Sequence, residues 1–254
     1  AFAQDVKELH KSLISAPMQF LVIAEDDKVT DVALDISTLW SQVSTVEERP
    51  RFQMTSIREQ RGEMWLTNTQ VNFCARAYPT VTEQHPDAAA LTVLGGFLRN
   101  GFLHRAIREQ GGAYGGGASH DSGIAAFRFY SYRDPRLVET LQDFDASVSW
   151  ILDTRHDGRS LEEAILGVIG SMDKPGSPAG EAKQHFHNRL SGRNHETRER
   201  FRENVLGVSL DDLRRVTETY LKPDLASTAI VTNAGQLEAT KSLRDELNLT
   251  VQEL

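Results

Sequence analysis

His85–Pro135 reads HPDAAALTVLGGFLRNGFLHRAIREQGGAYGGGASHDSGIAAFRFYSYRDP, and its hydrophobic period changes partway along. Up to Gln110 the apolar residues recur at helical spacing. Leu91, Leu94, Leu98, Phe102 and Ile107 mark one buried side of a helix predicted over 86–110. Pro86 suits the first turn, where its missing N–H is not needed. Gly111-Gly112 supplies a C-terminal stop. The period then becomes two. Ala113–Ser119 and Ile124–Tyr132 read as two extended arms joined by the turn-rich His120-Asp121-Ser122-Gly123. In the second arm Phe127 and Phe129 alternate with Arg128 and Tyr130, the pattern of a half-buried strand. Asp134-Pro135 ends that arm and opens a helix predicted to run through about Leu152.

The glycine-rich Gly111–Gly117 invites a nucleotide reading, which its context excludes. A phosphate-cradling loop leads from a strand into a helix N-terminus. Here a helix leads into a strand, without the Lys-Ser/Thr of a P-loop and without G-x-G-x-x-G. Two local readings remain. In one, the glycines follow a helix stop and let another backbone lie close to the strand. In the other, that backbone belongs to a ligand, Tyr114 donates a hydrogen bond to it and Arg108 is a fixed cation.

Outward from this stretch, elements alternate. A helix is expected over 2–15, a buried strand at Met18–Ala24, a helix around 28–43 and a polar connection over 44–60. Glu63–Tyr78 has the Trp, Val, Phe and Tyr content of a strand or hairpin arm. Ser160-Leu-Glu-Glu163 has capping-box spacing. Helices are expected over about 180–191, 195–205 and 210–221, the last capped by Ser209. Ser227–Thr232 reads as a strand, 236–248 as a helix, and a short apolar tail follows. Residues 18–39 and 227–247 share a strand–turn–helix order. This suggests equivalent closing elements of two related domains. The fold class is therefore α+β, with two related α/β units. The first is partial, at 1–60, and the second complete, at 61–254. Each is expected to be a mostly antiparallel sheet with helices on one face.

Composition removes several function classes. Twenty-eight basic against 36 acidic residues give a net charge of −8, which lacks the basic footprint of nucleic-acid binding. No apolar run approaches the roughly 18–20 residues of a membrane span. The N-terminus has no secretory-signal pattern and no initiating Met, so the chain is expected to begin inside a longer one. The single cysteine, Cys74, excludes an internal disulfide and reads as a buried structural thiol. Eight histidines make zinc the first cofactor to test, but neither H-E-x-x-H nor H-x-x-E-H occurs. His185 and His187 point about 200° apart on a helix and cannot share a metal.

His85–Pro135 closely resembles the C-terminal half of the pitrilysin/insulinase group of inverted-motif zinc peptidases, specifically its presequence-protease branch. Leu103-His-Arg-Ala-Ile-Arg-Glu109, the following Gly-Gly-Ala-Tyr-Gly and Phe129-Tyr-Ser-Tyr-Arg-Asp-Pro135 carry the likeness. Met172-Asp-Lys-Pro175 and Ser209-Leu-Asp-Asp-Leu213 extend it. The resemblance implies homologous α/β domains forming two halves around a closed chamber, with zinc bound by the N-terminal half. The C-terminal half supplies an arginine and a tyrosine to the substrate peptide, and Arg108 and Tyr114 match them. Gly112 and Ala113, between the two, join them as expected substrate-binding residues. No catalytic and no metal-binding residue is expected in this chain, and alone it should be inactive.

The implied whole is a zinc-dependent endopeptidase, a hydrolase, degrading short unstructured peptides. Its expected partners are the peptide and the N-terminal catalytic half, with neither nucleic acid nor membrane, and a homodimer of the fragment is left open. The expected compartment is cytoplasmic, or an organelle lumen in a eukaryote. The alternative is a non-catalytic structural or partner subunit of the same family. The truncated-looking start and the intact Arg108/Tyr114 pair favour a piece of the enzyme.

Overall fold

A computed structural model describes residues 2–43 and 58–254. In chain order the main elements are α1 (Phe2–Ile14), α2 (Asp26–Trp40), β1 (Gly62–Leu66), β2 (Asn72–Pro79) and α3 (Asp87–Leu98, continued in wider turns over Arg99–Gln110). Next come β3 (Gly115–Asp121), β4 (Ala126–Asp134), α4 (Val138–Asp153), α5 (Gly158–Met172), α6 (Pro178–Leu190) and α7 (His195–Leu206). The chain closes with α8 (Leu210–Tyr220), β5 (Ser227–Thr232), α9 (Lys241–Glu246) and β6 (Thr250–Glu253). Two compact units result. One contains the described residues up to Val43 together with Pro175–Asn194; the other contains Arg58–Lys174 and His195–Leu254.

In the first unit, Met18–Ala24 does not form the expected strand. Met18, Phe20, Leu21 and Ile23 are each between 38% and 46% exposed. A strand needs a neighbour for its N–H and C=O groups, and the described residues of this unit offer none. The segment keeps one aromatic contact, the Phe20 ring lying edge-on to Trp40 at 5.0 Å. Only the helical part of the 18–39 repeat is therefore present. Most of the predicted 44–60 connection lies outside the described residues.

The second unit is built on a six-stranded sheet in the order β3-β4-β2-β5-β1-β6. Three of its five couplings are antiparallel (β3–β4, β4–β2, β2–β5) and two are parallel (β5–β1, β1–β6). The reading of Glu63–Tyr78 as one strand or hairpin arm is corrected: it forms two strands, and β5 sits between them. Strand β5 arrives from far along the chain, and its alternating Thr228, Ile230 and Thr232 are buried at the sheet's centre. The apolar tail becomes the edge strand β6. The closing helix is shorter than 236–248, because Asn233 accepts from the Gly235 N–H and starts a separate short turn.

Helix ends follow local chemistry. Helix α8 begins with a reciprocal box: Asp212 N–H donates to Ser209 Oγ, and Ser209 N–H donates to Asp212 Oδ2, both at 3.1 Å. Helix α5 starts earlier than its Ser160 signal. Asp157 takes the cap by accepting from the Ser160 N–H at 2.9 Å, so the Ser160–Glu163 box does not form.

Alternation along β4 sets the two faces of the sheet. Phe127, Phe129 and Ser131 are buried, while Arg128, Tyr130 and Tyr132 lie on the opposite face. Phe129 is the hinge of the core, with rings of Tyr78, Phe127 and Phe144 at 6.0, 5.4 and 5.4 Å. Leu91, Leu94 and Leu98 of α3 and Leu213 and Val216 of α8 complete it. Cys74 lies in this core. Burial pushes its thiol up to about 12, against a lowering hydrogen bond with Ser131. It stays protonated and unreactive at neutral pH.

Asp87 ties the start of α3 to α8. Its carboxylate accepts from Tyr220 Oη and from Arg215 Nη1, both at 2.8 Å. Burial pushes the Asp87 pKa up, but those two bonds outweigh it and hold the group below the usual carboxylate range. Burial and the same contact push Tyr220 up to about 12. A carboxylate depressed in the folded state adds stability above its unfolded pKa of about 3.9, and that stability is lost as pH falls through the folded value. Asp87→Asn is therefore expected to cost about 1–2 kcal/mol at pH 7 and less near pH 3. Urea unfolding at both pH values checks this, and an equal cost at both would contradict it.

Candidate functional site

The predicted 86–110 helix is continuous, but its winding changes. From Arg99 the turns widen to i→i+5 hydrogen bonding and stay wide to Gln110. Such turns are rare and cluster at functional sites. Two glycines allow close packing along the way. A Cβ on Gly95 would lie 3.0 Å from Ser119 Cα on β3, and one on Gly101 would overlap the Trp150 ring. At the helix end Gly112 takes the left-handed conformation, with φ +79°. Its N–H donates to Arg108 O, and Ala113 N–H donates to Ile107 O, both at 3.1 Å. The first is the usual bond of a left-handed helix end, and the second spans one residue more than its Schellman counterpart. Arg136 closes the end from outside: its Nη2 donates to Ala106 O at 3.0 Å and to Asp143 Oδ2 at 2.9 Å.

This termination sets Arg108 and Tyr114 on the wall of one concavity of about 550 Å³. Gly112 and Ala113 do not line it. Gly112 makes the turn, and Ala113 is buried beneath, 3% exposed. Tyr114 itself is 64% exposed, yet three contacts hold it. Its N–H donates to Arg133 O at 3.3 Å. Its ring meets Tyr132 edge-on at 5.5 Å, and the Arg133 guanidinium stands 5.8 Å from the ring centre. Arg133 has φ +50°, a left-handed kink at the end of β4.

Five further side chains line the hollow: Arg99, Asn100, His104, Tyr130 and Tyr132. Spacing at 3.6 residues per turn hides the first of these, Arg99. Nine residues are two and a half turns of an α-helix, which puts Arg99 and Arg108 on opposite faces. Asn100 and His104 share the face of Arg108 even at α-helical spacing, and the wider turns bring Arg99 onto the same stripe. The two tyrosines were legible in principle, as the exposed phase of the β4 alternation.

The glycines of β3 make room for neighbouring side chains. A Cβ on Gly115 would overlap the Tyr132 ring. One on Gly116 would lie 2.8 Å from Ile107 Cγ2, and one on Gly117 would lie 2.9 Å from Arg99 Cγ. The nearest atom to each of these three positions belongs to a side chain of the chain itself. Bare backbone lets Tyr132 lie across the strand and lets Arg99 rest on it.

The histidines are placed for structure or for solvent. His120 Nε2 is 3.1 Å from Val81 O and its Nδ1 is 3.3 Å from Thr92 Oγ1, and burial lowers its pKa. His104 pairs with Glu109 at 3.3 Å. Among the described residues no three His, Cys, Asp or Glu side chains come together as a metal site. No helix among them is long and apolar enough to cross a membrane.

Comparison with known proteins identifies the domain. The mitochondrial presequence protease of Kluyveromyces lactis is 42% identical over 163 residues, 64% of this chain and 16% of that protein. Its Mus musculus counterpart is 40% identical over 152 residues, 59% of this chain and 14% of that protein. The chain thus spans about one sixth of the curated relatives it matches. Among solved structures, pitrilysin superposes with a TM-score of 0.63 at 13% identity, covering 90% of this chain and 25% of that one. A peptidase M16 inactive domain from Pseudomonas fluorescens gives 0.62 at 16% identity, covering 80% and 51%. These two show a shared fold. The sequence profile of the PreP C-terminal domain matches residues 62–233, which covers most of the chain, and the protein belongs to that family of peptidase-associated domains.

Proposed function

We propose that this chain is the substrate-binding C-terminal part of a zinc-dependent endopeptidase that degrades short unstructured peptides, and that Arg108 and Tyr114 are its contacts to the peptide. The observation carrying this reading is their meeting on one exposed hollow, with Tyr114 held in place by Arg133 and Tyr132. A guanidinium and a phenol are both hydrogen-bond donors suited to a peptide carbonyl. In this reading bond cleavage and the zinc belong to an N-terminal half. Two halves enclosing a chamber would admit unstructured peptides and exclude folded proteins. Residues 1–60 would close a preceding domain. The relatives are mitochondrial presequence proteases, which favours an organelle lumen for this enzyme too. Arg108→Gln in the full-length enzyme is the direct test. It is expected to lower kcat/KM about 10- to 100-fold for all peptides, with zinc content unchanged. Unaltered kcat/KM would remove Arg108 from the substrate site.

A further inference from the structure

We infer that Arg99 is a specificity-determining residue, forming with Arg108 a two-guanidinium seat for a carboxylate of the substrate peptide. The inference rests on the proposed substrate role of Arg108 and names what the same hollow selects. The wide turns of Arg99–Gln110 carry the geometry, because they place both arginines on one lining. No Asp or Glu lines that hollow. The chain as a whole is acidic, with 36 acidic against 28 basic residues, so an acid-free basic hollow is not an average patch of its surface.

Two nearby arginines are neutralised, whereas Arg105 and Arg133 have no ion-pair partner among the described residues. Arg128 pairs with Asp121 at 3.2 Å, and Arg136 pairs with Asp143 at 2.9 Å. Arg99 and Arg108 have no ion-pair partner among the described residues. Glu109, the nearest acid in sequence, is engaged by His104. Arg99 is also pre-positioned. Its stem rests on Gly117, where a Cβ would come 2.9 Å from Cγ and 3.0 Å from Cδ. Its Nε donates to Asn100 Oδ1 at 3.2 Å, which leaves the terminal nitrogens for a ligand. A guanidinium fork held by its stem is suited to a carboxylate, which it engages through two parallel bonds. Tyr114, Tyr130 and Tyr132 add neutral hydroxyls on the facing wall.

The carboxylate has two sources in a peptide, an acidic side chain or the C-terminus. The full-length enzyme distinguishes them through kcat/KM ratios for matched peptides. One arm compares Asp with Asn at successive positions on either side of the scissile bond. The other compares a free C-terminus with its amide. The native enzyme is expected to favour the carboxylate about tenfold in one arm, Arg99→Gln to remove that preference and Arg99→Lys to keep part of it. The arm that responds identifies the source. A native preference within twofold in both arms overturns the inference, as does a preference that Arg99→Gln leaves in place. If Arg108→Gln and Tyr114→Phe cripple cleavage while Arg99→Gln leaves the ratios unchanged, only the carboxylate seat is lost. If those two variants cleave normally, the substrate role of the hollow itself fails.

Discussion

Tyr114→Phe in the full-length enzyme is expected to lower kcat about a hundred- to a thousandfold, the range found when one preorganised oxyanion donor is removed. Water addition to a peptide carbonyl builds negative charge on oxygen, and a fixed phenol O–H can stabilise it. The substitution is a clean one because the hydroxyl has no hydrogen-bond partner among the described residues. What holds Tyr114 is its backbone N–H on Arg133 O, its ring against Tyr132 and the Arg133 guanidinium near the ring face. Phenylalanine keeps all three. Stability and zinc content should therefore stay close to native while turnover collapses. A loss confined to KM would indicate uniform binding rather than transition-state stabilisation. Near-native kcat with near-native KM would remove Tyr114 from the substrate site.

Much of this arrangement was legible in the sequence because it follows local rules. The period change at Gly111 marks a helix end, and the glycine at 112 does take a positive φ. Ser209 caps its helix with Asp212 as a partner. Phe127 and Phe129 face the core because strand side chains alternate. What escaped depends on distant partners or on unusual winding. Nothing in Glu63–Tyr78 says that β5, more than 150 residues later, will separate β1 from β2. Met18–Ala24 has the composition of a strand but no described neighbour to pair with. The stripe carrying Arg99 exists only because the helix widens after Leu98, and a search at 3.6 residues per turn places Arg99 on the wrong side. The glycines of β3 read correctly as sites of close approach. Which atoms approach is a tertiary fact, set by Tyr132, Ile107 and Arg99.

Gly111→Ala is expected to destabilise the domain by about 3 kcal/mol, far above the few tenths of an ordinary surface change. The backbone at Gly111 is right-handed helical, with φ −82° and ψ −22°, so alanine meets no conformational penalty there. The cost is steric. A Cβ would overlap the Arg136 guanidinium and would lie 2.5 Å from Ile107 O, a backbone atom that no rotamer change moves. Displacing Arg136 also removes its bond to Ala106 O and leaves Asp143 without its cation. A two-substitution cycle isolates this account. Arg136→Ala clears the guanidinium from the space, so Gly111→Ala in that background should cost at least 1 kcal/mol less than in the native chain. Strict additivity in urea-unfolding midpoints would show that Arg136 is not what makes glycine necessary. The same substitution bears on function through geometry. Tyr114 stands three residues after Gly111, beyond the turn that Ile107 O and Arg108 O close. A side chain that pushes on Ile107 O shifts this turn. Turnover by the full-length enzyme should then fall even where the domain remains folded, as it would if Tyr114 must be held in a fixed place rather than merely be present.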